Sequence, residues 1–207
     1  MKIFVIVTAS MFSDCDVRKQ EYTHAILRLR EELQKFPVLD YEMIIVENNG
    51  YRPTFFDDFG CKVLYTNNNS LPTGNKGIKE LQDVKDCIQI LGIQPDDFVV
   101  KITGRYVVDY DSEFIRTLDR IRETEIECII RYGSFMKPAD YQMEDCITGL
   151  IGMKSKYIFK IKLPDGNNPI EWDWARATYL IDPKKIHQVT KLGLSMRPSL
   201  DKETYFL

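Results

Sequence analysis

Asp97-Phe98-Val99-Val100-Lys101-Ile102-Thr103-Gly104-Arg105-Tyr106 is the stretch that decides how this chain is read. Its first half is a β-rich apolar run behind the turn signal Gln94-Pro95-Asp96, the pattern of a buried strand. Its second half sets a glycine, with its permissive backbone, beside an arginine, a planar cation with five donors. In open α/β sheets, ligands bind outside the carboxyl ends of the strands. A strand ending in Thr-Gly-Arg-Tyr therefore brings an anion-binding group to the place where a ligand is expected. The plainer reading is a strand end with a surface arginine, and the rest of the chain has to decide between them.

Upstream, residues 2–8 read as a first strand that breaks at Thr8-Ala9-Ser10. Ser13, Asp14 and Asp16 then offer N-cap chemistry to a helix whose apolar stripe is Tyr22, Ile26, Leu29 and Leu33, ended by Pro37. Residues 41–46 form a second strand, stopped by Glu47-Asn48-Asn49-Gly50. A loop or short helix over 55–60 leads to a third strand, 61–65, and a polar stretch, 66–76. A second helix spans about 77–91 on the stripe Ile78, Leu81, Val84, Ile88 and Leu91.

Downstream, Asp111 or Ser112 caps a helix striped by Phe114, Ile115, Leu118 and Ile121. A strand over 127–132, a long loop over 133–145 and a strand over 147–153 follow. No helix precedes that last strand to carry a parallel crossover, which leaves it open to run antiparallel. The tail, 154–207, reads as mainly helical, with an apolar-aromatic helix near 170–181. Alternating strands and helices predict right-handed β-α-β units: one α/β domain over 1–207, a mainly parallel central sheet flanked by helices.

Composition agrees and excludes. In 207 residues, a hydrophobic fraction of 44% and an aromatic fraction of 12% are those of a globular protein. Twenty-eight basic against 31 acidic side chains give a net charge of −3, which argues against a nucleic-acid partner. No run reaches the length of a transmembrane span, and the short apolar start lacks a signal-peptide pattern. Cys15, Cys61, Cys87, Cys128 and Cys146 are odd in number and never form C-x-x-C, so the chain reads as reduced and cytoplasmic, with Cys87 and Cys128 as buried thiols. His24 and His187 lie far apart, in helix-like segments, and give a histidine metal site or a Ser-His-Asp triad little to draw on.

The predicted strand ends collect Thr8-Ala9-Ser10, Glu47-Asn48-Asn49-Gly50, Thr66-Asn67-Asn68-Asn69 and Thr103-Gly104-Arg105. Amide and hydroxyl groups suit a nucleobase and ribose. Arg105 and Lys76 suit a diphosphate through charge-assisted hydrogen bonds. Lys76 lies in Gly74-Asn75-Lys76-Gly77, where a helix N-terminus adds free N–H donors. Each Asn-rich turn alone is only a turn; their shared edge of the sheet is what points to a site. No G-x-x-x-x-G-K-[ST] is present, and Thr8-Ala9-Ser10-Met11 stands where a G-x-G-x-x-G would follow the first strand. That argues against P-loop proteins, kinases and dehydrogenases.

Asn75-Lys76-Gly77 opening a helix, with a strand ending Lys101-Ile102-Thr103-Gly104-Arg105-Tyr106, resembles a subgroup of GT-A-fold glycosyltransferases over about residues 1–181. It is also similar to the small glycosyltransferase domains of large DNA viruses of algae. The resemblance implies a donor-binding half over about 1–110 and an acceptor-side half over about 111–207. It implies transfer of a sugar (a hexosyltransferase-type reaction) from a nucleotide-diphosphate donor, UDP-linked, to a glycan hydroxyl, with Thr8, Ala9 and Ser10 near the base. Most GT-A enzymes end the matching strand in Asp-x-Asp, which holds Mn²⁺ or Mg²⁺ against the diphosphate. Here Thr103-Gly104-Arg105 stands there, and an arginine neutralises diphosphate charge without metal. Asp109-Tyr110-Asp111 is a nearby triplet that offers oxygen ligands to a divalent cation, with helix capping as its plainer reading. Asp14-Cys15-Asp16 is a second such triplet, read as capping.

An inverting transfer needs a carboxylate to take the proton of the attacking hydroxyl. The resemblance puts that acid near the start of a helix past the acceptor-side strand, where this chain has Asn167-Asn168-Pro169-Ile170-Glu171-Trp172-Asp173-Trp174. Glu171 and Asp173 are the candidates, and a helix aims them differently. Trp172 and Trp174 are candidates to stack on sugar faces, or else core. Asp140, Glu144 and Asp145 are weaker acceptor-side candidates. Two other functions compete: a sugar-1-phosphate nucleotidyltransferase, which would want a Gly-rich basic loop after the first strand, and a sugar-nucleotide-binding domain without catalysis.

Overall fold

The computed structural model describes residues 1–11, 15–133, 144–163, 168–196 and the backbone of 205–206. Ser13, Asp14, Asp140 and Asn167 lie outside these residues. One seven-stranded sheet organises the rest. Its strands are β1 (Ile3–Ala9), β2 (Tyr41–Glu47), β3 (Lys62–Tyr65), β4 (Phe98–Thr103), β6 (Cys128–Ile130), β7 (Leu150–Lys154) and β8 (Ile186–Gln188), in the order β3-β2-β1-β4-β7-β6-β8. Strand β5 (Val107–Val108) pairs instead with β9 (Leu194–Met196), which also pairs with β10 (Tyr205–Phe206), in a small antiparallel sheet.

Strands β3, β2, β1 and β4 are mutually parallel, with Ile3 opposite Tyr41 on one side and Phe98 on the other. All seven residues of β1 are buried, as a parallel strand covered on both faces requires. Strand β7 runs antiparallel to β4, from Ile102↔Leu150 to Phe98↔Lys154. That direction places the start of β7, and Thr148 before it, at the carboxyl end of β4.

Helices cover both faces. Alternate residues of β1 (Ile3, Val5, Val7) share a core with Tyr22, Ile26, Leu29 and Leu33 of α1 (Asp16–Gln34) and with Phe114, Ile115 and Leu118 of α3 (Glu113–Asp119). Phe4 and Ile6 face the other way. They share a second core with Ile78, Leu81, Val84 and Ile88 of α2 (Lys76–Leu91), Ile158 of α4 (Ser155–Ile158), and Ile170 and Trp174 of α5 (Ile170–Ala177). The period-2 strand thus feeds two helical layers whose stripes have a period of 3.6.

Several expectations need correction. The tail is not mainly helical: β8, β9 and β10 lie in it, and His187 sits on β8 rather than a helix. Cys15, with no side-chain cap bond, occupies the cap position of α1, and Asp16 is the helix's first residue. Ser112, not Asp111, caps α3 by accepting from Ile115 N. The five cysteines are free thiols, with Cys87 and Cys128 buried, and burial pushes both thiols up from their ordinary range. Among the described residues, no helix is long and apolar enough to cross a membrane.

Candidate functional site

A cleft of about 330 Å³ opens where the parallel strands end. Strand β1 contributes Thr8, Ala9 and Ser10, the end of β2 contributes Asn48, and the end of β4 contributes Thr103 and Arg105. The two helices following β1 and β3 add Arg18, Tyr22, Lys76, Lys79 and Glu80, and the loop after β3 adds Asn69. Lys76, the first residue of α2, and Arg105, just past the end of β4, therefore line one cleft.

Gly104 permits this convergence. Its N–H donates to Thr8 O at 2.9 Å. A Cβ there would sit 2.9 Å from Val7 Cγ1 and 3.0 Å from both Thr8 O and Tyr22 Cε1. Only a residue without a side chain lets the end of β4 press so closely on β1. The Tyr22 hydroxyl then accepts from Ser10 N at 2.9 Å, so α1 pins the turn that leaves β1. Arg105 is held in place by an ion pair with Glu21 of α1, at 3.5 Å, and its side chain is only 12% exposed.

Two buried carboxylates organise the amide-rich loops. Glu47 accepts from Met11 N and Asn49 N, both at 3.0 Å, and from Asn49 Nδ2 at 2.6 Å, tying the ends of β1 and β2 together. Asp83 of α2 accepts from Asn48 Nδ2 at 2.9 Å, Thr66 Oγ1 at 2.7 Å and Asn68 Nδ2 at 2.8 Å. Burial pushes its carboxyl up to about 7, against the pull of these three donors. Asn69 Nδ2 donates to Asn49 Oδ1 at 2.6 Å, and Lys79 Nζ donates to Asn69 O at 2.5 Å. Amides that look like turn-formers in sequence are here a cross-braced wall.

Asn75 has a different place. Its side chain caps α2, accepting from Gly77 N at 3.0 Å, and it is not among the cleft-lining residues. A Cβ on Gly77 would fall 2.2 Å from Ile170 Cγ2. The first turns of α2 and α5 are thus pressed together, bringing Glu171 to the same edge as Lys76. Glu171 accepts from Thr148 Oγ1 at 3.5 Å. Asp173, one position pair further, faces Arg176 at 3.4 Å, and its Oδ2 is buried without a hydrogen-bond partner among the described residues. Trp174 is 2% exposed and belongs to the core, so it cannot stack on a sugar; Trp172 is 37% exposed. Glu144 is exposed, and Asp145 is taken up by Cys146 N at 2.9 Å.

The Asp109/Asp111 pair does not build a metal site. Asp109 accepts from Ser195 Oγ at 2.7 Å, and Asp111 is paired with Arg116. Neither lines the cleft, and among the described residues no three His, Cys, Asp or Glu come together as a metal set. A hard divalent cation wants several oxygen ligands with negative charge. Among the described residues, the cleft instead offers four cations and one carboxylate, Glu80, which Lys101 already pairs. The donor set does not fit such an ion.

Arg18, Lys79 and Glu80 were not singled out from sequence. The signal was present in part: Lys76, Lys79 and Glu80 are three and four apart, the spacing of one helix face.

No family model and no curated protein sequence matches this chain. Solved structures do. A mannosyltransferase of Pyrobaculum calidifontis, in complex with GDP-mannose and Mn²⁺, superposes with a TM-score of 0.57 at 8% identity, over 91% of this chain and 54% of that one. A CMP-2-keto-3-deoxy-manno-octonic acid synthetase complexed with CTP matches at a TM-score of 0.51 and 10% identity, over 91% and 89%. A galactosyltransferase in complex with donor and acceptor sugar analogues matches at a TM-score of 0.50 and 10% identity, over 96% and 88%. With its mostly parallel sheet between two helical layers and its cleft at the carboxyl ends of the strands, this chain has the GT-A fold.

Proposed function

We propose that the chain is a glycosyltransferase that moves a sugar from a nucleotide-diphosphate donor, UDP-linked, to a glycan hydroxyl. One observation carries the reading. Lys76, at the start of α2, and Arg105, at the end of β4, line a single cleft together with Arg18 and Lys79. Four cations from three separate elements suit a diphosphate, and the braced amide and hydroxyl groups of Thr8, Ser10 and Asn48 suit a nucleoside beside it.

The chemistry follows from charge. As the glycosidic bond to the donor breaks, negative charge grows on the departing diphosphate. Arg105 and Lys76 stabilise that charge from fixed positions, with no reorganisation during the reaction. Glu171, which accepts from Thr148 Oγ1 and is not among the cleft-lining residues, takes the proton of the acceptor hydroxyl. Trp172 offers an exposed aromatic face to the acceptor sugar. The fold is shared with nucleotidyltransferases, but Thr8-Ala9-Ser10-Met11 lacks the Gly-rich basic turn expected of one.

The test is a panel of UDP- and GDP-sugars with oligosaccharide acceptors, run with EDTA and with Mn²⁺. Transfer or donor hydrolysis that persists in EDTA is expected. Release of pyrophosphate from a nucleoside triphosphate and a sugar 1-phosphate would replace this reading with the nucleotidyltransferase. Binding without turnover would replace it with a non-catalytic sugar-nucleotide-binding domain.

A further inference from the structure

Lys101 is the one lysine of β4, and it is 2% exposed in the middle of the sheet. A buried ammonium is costly unless paired and hydrogen-bonded. Lys101 is fully engaged: it donates to Thr103 Oγ1 and Thr148 O, each at 2.8 Å, and it pairs with Glu80 Oε2. Thr103 Oγ1 in turn donates to Glu80 Oε2 at 3.0 Å. One oxygen of Glu80 is therefore fixed from below by two strand residues. Its Oε1 accepts no hydrogen bond among the described residues, and the side chain keeps 25% of its surface, in the cleft.

Among the described residues Glu80 is the one carboxylate beside four cleft cations, and Lys101 and Thr103 engage only one of its two oxygens. Such a group is in place where an anion is joined to a polyol, because a carboxylate is the strongest acceptor for hydroxyl donors. Position narrows the choice further. The groups proposed for the nucleoside come from the ends of β1 and β2, and Arg105, proposed for the diphosphate, lies just past the end of β4. Glu80 is anchored to β4 and, through Lys101, to Thr148 just before β7. Along the sheet order, that is the next place past the diphosphate.

We infer that Glu80 reads hydroxyls of the donor's sugar, and that Lys101 is a positioning residue that holds it there. This inference rests on the nucleotide-sugar reading above. Calorimetric titration of the whole chain with UDP, UDP-glucose and UDP-galactose, and with GDP and GDP-mannose, separates the two. If the wild type binds no nucleoside diphosphate, the nucleotide reading falls and takes this inference with it. If it does bind, Glu80→Gln is expected to leave nucleoside diphosphate affinity within about twofold. It should weaken the preferred sugar nucleotide by about tenfold or more, the size of a hydrogen bond to a charged group. An equal loss for both ligands, no loss for either, or a wild type that gains nothing from the sugar would each overturn the role of Glu80. Lys101→Met should show the same sugar-selective loss, and the double variant should lose no more than Glu80→Gln alone. Additive losses, or a Lys101→Met loss that includes the nucleoside diphosphate, would remove Lys101 as a positioning residue.

Discussion

Replacing Asp83 by asparagine tests how the amide-rich wall of the cleft, the proposed nucleoside side, is held. Asp83 has no exposed surface, and its carboxyl group receives three donors from Asn48, Thr66 and Asn68. Burial pushes it from 3.8 up to about 7. An acid raised in the folded state keeps its proton there after the unfolded chain has lost it. Between about pH 4 and pH 7 the unfolded chain therefore binds fewer protons, and stability falls as pH rises. The contribution is complete below the unfolded value and lost as pH passes through the folded one. At 1.36 kcal/mol per unit, the window is worth on the order of 4 kcal/mol in full, and about 3 kcal/mol between pH 5 and pH 8. The asparagine variant does not titrate. Urea unfolding of both proteins at pH 5, 6, 7 and 8 should show the stability difference moving toward Asp83→Asn by about 3 kcal/mol across the series. Carboxylates elsewhere act on both proteins alike and cancel in the difference. The constant offset between the two reports the donor-against-donor contact that an asparagine brings, and it is not the test. A difference flat from pH 5 to pH 8 would refute the raised carboxyl. A carboxyl governed by the three donors rather than by burial would give that same flat result, because both states would then be ionised throughout the series.

Three further substitutions address the cleft and the acceptor-side candidates. Arg105→Ala should weaken sugar-nucleotide binding about tenfold or more, since a charge-assisted hydrogen bond to phosphate is worth about 1.5–3 kcal/mol; unchanged affinity in a titration would take Arg105 out of the site. Glu171→Gln should cut turnover about a hundredfold or more while donor affinity holds, the signature of lost general-base catalysis. Asp173→Asn should cut turnover far less, because Asp173 is occupied by Arg176. Equal turnover in both variants and the wild type would end the acceptor-side assignment.

The first half of the fold is legible because its signals are long. Strand β1 opens on five consecutive apolar residues, and the stripes of α1 and α2 extend over about three turns or more, so period alone separates strand from helix. The second half is carried by pieces too short to have a period: β8 and β9 span three residues each, and β5 spans two. Their strand character comes from pairing with distant partners. The same divide runs through the site. Lys76 and Arg105 are readable because each adjoins a glycine at an element's end. Arg18, Lys79 and Glu80 sit inside helices, where charge is the ordinary mark of a solvated face. The two tryptophans show the limit of composition: Trp172 and Trp174 are two apart on one helix, so one reaches the surface while the other enters the core.

The acidic residues at this edge support the proposal that an anion, and not a cation, belongs in the cleft. Glu47 and Asp83 lie close behind it, and a sequence reader would count them as ligands for a metal. Both are buried and turned inward onto amides, hydroxyls and backbone N–H groups of the loops they brace. Their lone pairs are spent on shaping the wall. Glu21 is set against Arg105, and Glu80 against Lys101, each facing a cation that the chain itself provides. The carboxylates thus serve as counter-charges and braces, and the cations that face the cleft outnumber the one carboxylate that does. A surface so arranged has its positive charge fixed before any ligand arrives. On the proposed function, a diphosphate would meet it without requiring the cleft to reorganise, which is the condition for stabilising the same group more strongly as its charge grows.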